Sequence, residues 1–207
     1  MESLPRPRTT RRSLLREILD TLLMIVAIYT LINLLTARFV VEGSSMNPNF
    51  ASGQFIIVNR LSYLVGEPRR GDVVVFVSPD EPGHDFIKRV LGLPGETVAV
   101  RDGLVYINEE PLYEPYISAP PTYQGEWTLG ADEYFVLGDN RNNSRDSHAF
   151  GPLRRDKIVG QAWVVYWPLE DWGFVPHYDY DAPPPHIPTP PPQAPVTAQA
   201  PAAAPLP

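Results

Sequence analysis

The stretch DFIKRVLGLPGETVAVRDGLVYIN, residues 85–108, decides the fold class of this chain. It consists of short runs rich in β-branched and aromatic residues, and turn signals separate them at LPGE (93–96) and RDGL (101–104). The Asp-Gly pair in the second turn is typical of a two-residue β-hairpin. The pattern therefore predicts antiparallel strands for this part of the chain.

The same texture extends outward from this stretch in both directions. Comparable segments precede it (FVVEG, QFIIVNRLSYLV and DVVVFVS) and follow it (EYFVLGD and KIVGQAWVVYW). No long amphipathic helical pattern occurs in the sequence after residue 40. We therefore predict a mainly β fold, with an antiparallel sheet or partial barrel over residues 38–180.

A long apolar run, TLLMIVAIYTLINLLTA at residues 21–37, lies in front of the β segments. With its flanks it reaches the length of about 20 residues that a helix needs to cross a bilayer, so we predict a transmembrane signal-anchor helix at 18–37. A cleaved secretory signal is the first alternative, but no small-x-small cleavage site follows before Arg38. A buried core helix is the second, and continuous hydrophobicity on every face argues against it.

Charge is distributed unevenly along the chain. The first 20 residues hold five arginines and three acidic residues, whereas the remainder has a net charge of −9. By the positive-inside rule, the basic segment 1–17 stays in the cytoplasm and the residues after 40 lie outside the cell membrane. A domain this acidic is a poor partner for nucleic acid, because phosphates attract a basic surface.

Composition also limits the chemistry that is available. The chain has no cysteine, and its four histidines lack the spacing of a helical metal site, so we expect no metal and no organic cofactor. Residues 181–207 are rich in proline and alanine, with 11 prolines after Asp181. This composition predicts an extended, disordered tail.

Ser45 is the first candidate for chemistry, in the sequence VEGSSMNPNF (41–50). It falls a few residues beyond the apolar helix, where Gly43 and Pro48 indicate a change from strand to turn. A serine hydroxyl is a weak nucleophile and needs an adjacent base. Taken alone, a serine beside a glycine is more often an ordinary turn residue.

Lys88 is the second candidate, because the chain uses 15 arginines but only two lysines, Lys88 and Lys157. Lys88 lies in an apolar segment, where a charged ammonium group finds no neighbour that would stabilise its charge. Unlike arginine, lysine can lose its proton when it is buried, and burial can lower its pKa from about 10.4 to the ~7–8 that a general base needs. Lys157 lies among charged residues and is interpreted as a surface residue.

The third candidate is the segment GDNRNNSRDSHAFGPL, residues 138–153. So many Asn, Asp, Ser and Gly residues favour a loop with many hydrogen bonds between side chains and backbone. Loops of this kind on a rigid sheet often support catalytic groups. Considered alone, a segment of this kind is more often a simple connecting loop.

Four motifs occur in order behind the apolar helix: SM-x-P, RRGDVVVF, FIKR-x-x-G-x-PGE and GDNR-x-NS-x-DS-x-x-x-G. Together they resemble bacterial type I signal peptidase, the Ser-Lys leader peptidase family. The resemblance covers the anchor and residues 38 to about 168. It implies a membrane-bound serine endopeptidase that cleaves signal peptides from exported preproteins after small residues, with the lipid bilayer as its other partner.

The resemblance also implies roles for individual residues. Ser45 matches the nucleophile, and Lys88 matches the general base that later protonates the leaving amine. Ser144 matches a serine whose hydroxyl hydrogen-bonds the lysine amine. Residues that brace the site through ion pairs are implied at Asp139, Arg141 and Asp146, with Arg89 and Asp72 as further members. Apolar subsites for the substrate are expected at Phe39, Val41, Met46, Phe50, Phe86 and Ile87.

The chain departs from the family pattern at several of these positions. Gly43 occupies the place where some members have a serine that donates to the oxyanion, and Ser44 is the candidate to replace that donor. Asn49 replaces a threonine, Phe86 a common tyrosine, and His148 an arginine typical of some members. The last change predicts that one bracing ion pair is lost or depends on pH.

Two other classes of protein share parts of this pattern. A catalytically inactive, membrane-tethered β module that binds preproteins would have the same fold, but the intact Ser45 and Lys88 argue against it. A cytoplasmic self-cleaving repressor-type protease also uses serine and lysine on a related scaffold. That protein would need a DNA-binding region in place of the apolar segment.

Overall fold

A single long helix, α1 (Arg11–Leu35), opens the computed structural model, which describes residues 11–81, 83–178 and 180. Residues Leu14–Leu35 are long and apolar enough to cross a membrane, with a mean hydropathy of 2.2 and none of the most apolar window buried. The helix therefore extends further towards the N-terminus than the predicted 18–37. Its exposure argues against a core helix and is consistent with a membrane anchor. The predictions for residues 1–10 and for the tail at 181–207 lie outside the described residues.

The rest of the described chain is mainly β, as predicted. One sheet is formed by β1 (Thr36–Val40), β2 (Phe55–Asn59), β3 (Val73–Val77), β4 (Asp85–Gly92), β9 (Glu133–Leu137), β10 (Leu153–Arg154), β11 (Ile158–Trp167) and β12 (Gly173–Phe174). Its order is β1-β2-β11-β3-β4-β9-β10, with β12 paired to β11. A smaller sheet contains β5 (Thr97–Arg101), β6 (Leu104–Ile107), β7 (Glu110–Pro111) and β8 (Gly125–Thr128), in the order β7-β6-β5-β8. The pairings in both sheets are antiparallel.

The predicted hairpin at Asp102-Gly103 connects β5 to β6. Arg101 pairs with Leu104, so two residues make the turn. Asp102 has φ 53° and Gly103 has φ 75°, the positive values that a tight I′ hairpin requires at both positions. The sequence prediction is confirmed here.

One segment predicted as strand contains a helical turn instead. In QFIIVNRLSYLV the strand ends at Asn59, and residues Ser62–Val65 form the short helix α2. The side chain of Asn59 accepts hydrogen bonds from the backbone N–H groups of Leu61 and Ser62, at 2.9 and 3.3 Å. This side-chain turn competes with continuation of the strand. A second short helix, α3 (Ser147–Phe150), lies in the Asn- and Ser-rich segment.

Strand β4 has more buried residues than any other strand of the larger sheet and contributes to all three hydrophobic clusters. Ile87 packs in the first, Val90 in the second, and Leu91 in the third, which fills the space against the smaller sheet. A side chain on this strand is therefore surrounded by protein on both faces of the sheet. Lys88 lies in the middle of this strand.

Strands β1 and β4 run in the same direction, because an even number of antiparallel pairings connects them through β2, β11 and β3. In a flat sheet they would be about 19 Å apart, at about 4.8 Å per strand. The segment 41–45, which follows β1, nevertheless lines one groove together with residues 83–88. This groove lies between the end of β1 and the start of β4.

Candidate active site

Ser45 and Lys88 meet at the floor of this groove. Ser45 lies in the turn that follows β1, and the Nζ atom of Lys88 donates a hydrogen bond to its Oγ atom at 2.8 Å. Nζ also donates to the backbone carbonyl of Ile87 at 2.8 Å. The lysine is only 4% exposed, and the ring centroid of Phe86 lies 5.3 Å from Nζ. The two residues that the sequence singled out are therefore in direct contact.

Burial lowers the pKa of Lys88 to about 8, from the ordinary value of 10.5. The charged form loses hydration in this apolar strand, and the negative charges of Asp146 and Asp139 oppose the shift in part. A neutral amine is consequently present in quantity at slightly alkaline pH. A neutral amine that already touches a serine hydroxyl can accept its proton.

The loop that follows β9 holds the Ser45 turn from one side. The backbone N–H of Asn140 donates to the carbonyl of Ser45 at 3.0 Å, and its side-chain amide donates to the carbonyl of Ser44 at 3.1 Å. The side chain of Asn143 donates to the hydroxyl of Ser44 at 2.9 Å. These bonds fix the turn that contains Ser45 against the rest of the sheet.

A buried ion pair lies beneath the same loop. The guanidinium of Arg89 makes two hydrogen bonds to Asp139, at 2.9 and 2.8 Å, and neither side chain is exposed. Asn49, which replaces the threonine of the family pattern, donates to the same carboxylate at 2.9 Å. Arg89 also lies beneath the ring of Tyr116, 4.3 Å from its centroid. This pair connects β4, the loop and the Ser45 turn.

The other bracing residues have partners that differ from those predicted. Arg141 pairs with Glu114, at 2.5 and 2.7 Å, and not with a member of the predicted set. Asp72 does not pair with Arg89, because its carboxylate accepts from Tyr63 and Gln161, both at 2.8 Å. Asp72 therefore holds Tyr63 and Gln161, and the Arg89–Asp139 ion pair forms without it.

Asp146 is fully buried and has no arginine partner in the described chain. One carboxylate oxygen accepts from the backbone N–H of Gly138 at 2.8 Å, and the other lies 2.7 Å from the Nδ1 atom of His148. The His148 ring stacks on Tyr123, with centroids 4.1 Å apart. Histidine thus takes the place that the family pattern gives to arginine.

The predicted hydrogen bond between Ser144 and Lys88 is not formed in the structure. The Ser144 hydroxyl is buried without a hydrogen-bond partner among the described residues. The Nζ atom of Lys88 donates instead to Ser45 and to the carbonyl of Ile87. The Ser144 side chain packs instead against Gly138. A Cβ atom at Gly138 would overlap both Ser144 and the carbonyl of Ser45.

The groove above the Ser45–Lys88 pair has a volume of about 500 Å³. Four of the predicted subsite residues line it: Phe39, Val41, Phe86 and Ile87. The prediction was wrong for Met46 and Phe50, which are each 1% exposed and pack in the core beneath the groove. Charged and polar side chains that the sequence reasoning missed also line it, namely Glu42, His84, Asp85, Asn143 and Arg145.

The hydrogen-bond donors in the Ser45 turn differ in whether they have a partner. The backbone N–H of Ser45 donates to no acceptor in the described part of the chain. The N–H of Gly43, in contrast, is directed to the hydroxyl of Ser52 at 3.3 Å. The Ser44 hydroxyl accepts from Asn143 and keeps its own proton to donate.

Comparison with known proteins identifies the class and then the family of the chain. The family model described as "Signal peptidase, peptidase S26" matches residues 14–167, which is most of the chain and includes most of α1 and the residues that line the groove. The protein is therefore a serine peptidase. It belongs to the signal peptidase family, peptidase S26.

Individual relatives agree with this assignment. A probable signal peptidase I-2 of Synechocystis is 39% identical over 175 residues, which cover 82% of this chain and 79% of the relative. Signal peptidase I of Leptolyngbya laminosa is 46% identical over 66% of this chain and 71% of the relative, and that of Bacillus caldolyticus is 39% identical over 67% and 83%. The chain therefore has signal peptidase I function.

A solved structure is similar as well. A crystal structure of a signal peptidase I from Enterococcus faecalis V583 is 34% identical and covers 47% of this chain and 97% of that chain, with a TM-score of 0.44. Membership of the family rests on the sequence matches.

Proposed function

We propose that this signal peptidase cuts exported preproteins with Ser45 as nucleophile and Lys88 as general base. The observation that supports this assignment is the hydrogen bond of 2.8 Å between Nζ and Oγ, made by a buried lysine at the floor of an open groove. Such contact between a nucleophile and a base is the usual arrangement for covalent catalysis.

In the first half of the reaction, the neutral amine of Lys88 takes the proton of Ser45 as Oγ attacks the carbonyl carbon of the scissile bond. The resulting ammonium then gives this proton to the leaving amine, so the mature protein departs and an ester to Ser45 remains. In the second half, Lys88 removes a proton from water, which attacks the ester, and the ammonium then gives this proton to Oγ of Ser45 as the bond to the signal peptide breaks. Each half returns the lysine to its neutral form.

The negative oxygen of each tetrahedral intermediate needs donors. The free N–H of Ser45 is suited to supply one, and the hydroxyl of Ser44 is suited to supply the second in place of the serine missing at Gly43. Donors fixed in a site of low water content stabilise such charge strongly. The loop bonds from Asn140 and Asn143 keep both serines in place.

The proposed substrate is a preprotein with small residues at the first and third positions before the cut. Phe39, Val41, Phe86 and Ile87 line the groove with apolar surface, and bulky walls of this kind leave room for small side chains.

Ser144 is proposed to act by packing against Gly138, because it makes no bond to the lysine. Its replacement by alanine should reduce turnover without abolishing it.

The anchor and the topology belong to the same proposal. Helix α1 would span the cell membrane, with the arginine-rich N-terminus in the cytoplasm and the β domain outside. Single cysteines at Ser3 and Ser118 test this orientation in a chain that has no cysteine of its own. A membrane-impermeant maleimide added to intact cells should label only the second. Labelling of the cysteine at position 3 alone would show that the protein has the opposite topology.

The central test uses the purified full chain in detergent with a preprotein that carries a small-x-small site. Ser45→Ala and Lys88→Ala should each lower the rate at least about 10⁴-fold, as expected when a nucleophile or its base is lost. Ser118→Ala and Lys157→Ala, at exposed positions, are the matched controls and should cleave normally. If Lys88→Arg cleaves at the full rate, Lys88 does not transfer a proton. If the wild type binds the preprotein but never cuts it, the protein is a binding module.

A further inference from the structure

The described chain continues past the end of the family match as a segment that packs against the supports of the site. The match ends at residue 167, and we call residues 175–178 and 180 the strap. The strap begins where the backbone N–H of Val175 donates to the carbonyl of Trp163 at 2.9 Å. The residues that line the groove include none from the strap. Any effect of the strap on cleavage must therefore pass through other residues.

Two tyrosines of the strap cover the buried ion pair beneath the loop that follows β9. The ring of Tyr178 packs against that of Tyr116 with centroids 4.7 Å apart, and the guanidinium carbon of Arg89 lies 5.1 Å from the centroid of Tyr178. Tyr180 meets the ring of Tyr116 edge-on, with centroids 6.4 Å apart. Because the side chains of Arg89 and Asp139 are fully buried, these rings help to keep water from the pair. An ion pair without water attracts more strongly than a hydrated one.

A glycine provides the space that the strap occupies. Gly71 has φ 94°, and a Cβ atom there would lie 2.7 Å from the carbonyl oxygen of Tyr178 and 2.8 Å from the ring of Tyr180. The carbonyl of Gly71 also accepts a hydrogen bond from Arg89 at 3.0 Å. The strap therefore fits closely against the turn that holds this arginine.

A series of hydrogen bonds connects the strap to the loop that holds Ser45. The hydroxyl of Tyr180 donates to the hydroxyl of Tyr116 at 2.5 Å, and Tyr116 donates to Glu114 at 2.7 Å. Glu114 pairs with Arg141, whose Nε atom donates to the carbonyl of Gly138 at 3.0 Å. The space beside Gly138 is filled by the carbonyl of the nucleophile. The series thus runs from the strap to the backbone of the site.

We propose that Tyr178 and Tyr180 are positioning residues for the cleavage reaction. The two rings keep the Arg89 ion pair dry, and the Tyr180 hydroxyl orients Glu114 through Tyr116. Both effects hold the loop at residues 138–143 in place against the nucleophile. Misplacement of a reacting group by about 1 Å can cost about 10²-fold in rate. This inference rests on the proposed role of Ser45.

The test compares alanine and phenylalanine variants of the full chain in detergent, with a preprotein as substrate. Tyr178→Ala and Tyr180→Ala remove the rings, whereas Tyr178→Phe and Tyr180→Phe keep them. Tyr106→Ala is the matched control, because this ring lies 4.2 Å from the guanidinium carbon of Arg101 on the smaller sheet. Rates are taken well below the unfolding temperature of each variant and are normalised to the folded fraction. Amide hydrogen exchange is compared between residues 138–143 and residues 97–107.

We expect both alanine variants to lower kcat at least about 10-fold, with KM unchanged because the strap does not line the groove. Tyr178→Phe should restore kcat, since the contacts of this residue are made by its ring. Tyr180→Phe should lose about threefold, because its ring remains but the hydrogen bond to Tyr116 is lost. Exchange should become faster at residues 138–143 and stay the same at residues 97–107. Tyr106→Ala should cleave normally.

A lower unfolding temperature with normal kcat in the alanine variants would show that the strap only stabilises the fold, and this overturns the inference. A raised KM with normal kcat would assign the strap to substrate binding and overturns it as well. An equal loss of kcat in Tyr106→Ala would make the effect a general one, with the same consequence. If Ser45→Ala cleaves at the rate of the wild type, the proposed function fails and the inference fails with it.

Discussion

The pH dependence of cleavage is the most direct measure of the proposed role of Lys88. Only the neutral amine can accept the proton of Ser45, so kcat/KM should rise about tenfold per pH unit at low pH and level off above the pKa. With a pKa of about 8, about a tenth of the lysine is neutral at pH 7. With the ordinary value of 10.5 the neutral fraction would be smaller by about 300-fold.

The assay is kcat/KM for a preprotein in detergent, measured from about pH 6 to about pH 10, with Lys157→Ala as the matched control. We expect an acid limb centred near 8 in the wild type and the same limb in the control. An acid limb close to 10.5, or a rate independent of pH over this range, would refute the proposed role of burial.

The same shift has a consequence for stability that does not depend on activity. Because the folded pKa of Lys88 is below the unfolded value, charged Lys88 opposes folding below about pH 8, and this cost disappears as the pH rises to 10.5. A shift of this size corresponds to about 3 kcal/mol for a residue this buried. Lys88→Met removes this cost but also loses two hydrogen bonds, each of which contributes about 1 kcal/mol to the free energy of unfolding. This variant should thus be about 1 kcal/mol more stable than wild type at pH 7 and less stable above 10.5. Lower stability at pH 7 would contradict the reasoning.

Three further predictions concern the support of the site. Asp146→Asn removes a charge that raises the pKa of Lys88, so the acid limb of kcat/KM should move to lower pH by roughly half a unit. Glu114→Gln leaves the buried guanidinium of Arg141 without its charge partner and should cost about 3 kcal/mol in thermal unfolding. Gly138→Ala displaces the carbonyl of the nucleophile and should lower kcat about 10²-fold.

The second and third of these variants each have a matched control. Glu109→Gln breaks an ion pair in which the side chain of Arg101 is 40% exposed and that of Glu109 is 68% exposed. This change should lower the free energy of unfolding by less than about 1 kcal/mol. Gly173→Ala adds a Cβ whose nearest neighbour is 4.0 Å away, and it should cleave normally. An acid limb that moves upward in Asp146→Asn would contradict the assigned direction. Equal losses in Glu114→Gln and Glu109→Gln, or normal kcat in Gly138→Ala, would show that the buried contacts matter less than argued.

The fold class and the central pair could be predicted because their signals are local. Alternation of β-branched residues with turn residues marks strands wherever they occur, and Asp102-Gly103 specifies its hairpin without help from the rest of the chain. Lys88 was conspicuous because a lysine in an apolar strand is unusual in a chain that otherwise uses arginine. The helical turn of α2 was missed because a single side chain, that of Asn59, ends the strand there.

The partners of the bracing residues could not be predicted, because they come from distant parts of the chain. Glu114 reaches Arg141 across 27 positions, and nothing in its own neighbourhood indicates a buried charge. Met46 and Phe50 were assigned to the groove because they flank Ser45 in sequence. The turn directs both into the core, a direction that only the three-dimensional path of the chain determines.

Strand β11 has a consequence for when this enzyme becomes active. It lies between β2 and β3, so residues synthesised late join the strands on either side of Ser45, β1 and β2, to the half of the sheet that contains Lys88. A chain that has emerged only as far as residue 150 already contains both groups but lacks the strand that brings them together. The newly synthesised protease should therefore remain inert, and it becomes able to cut only when its last long strand is in place.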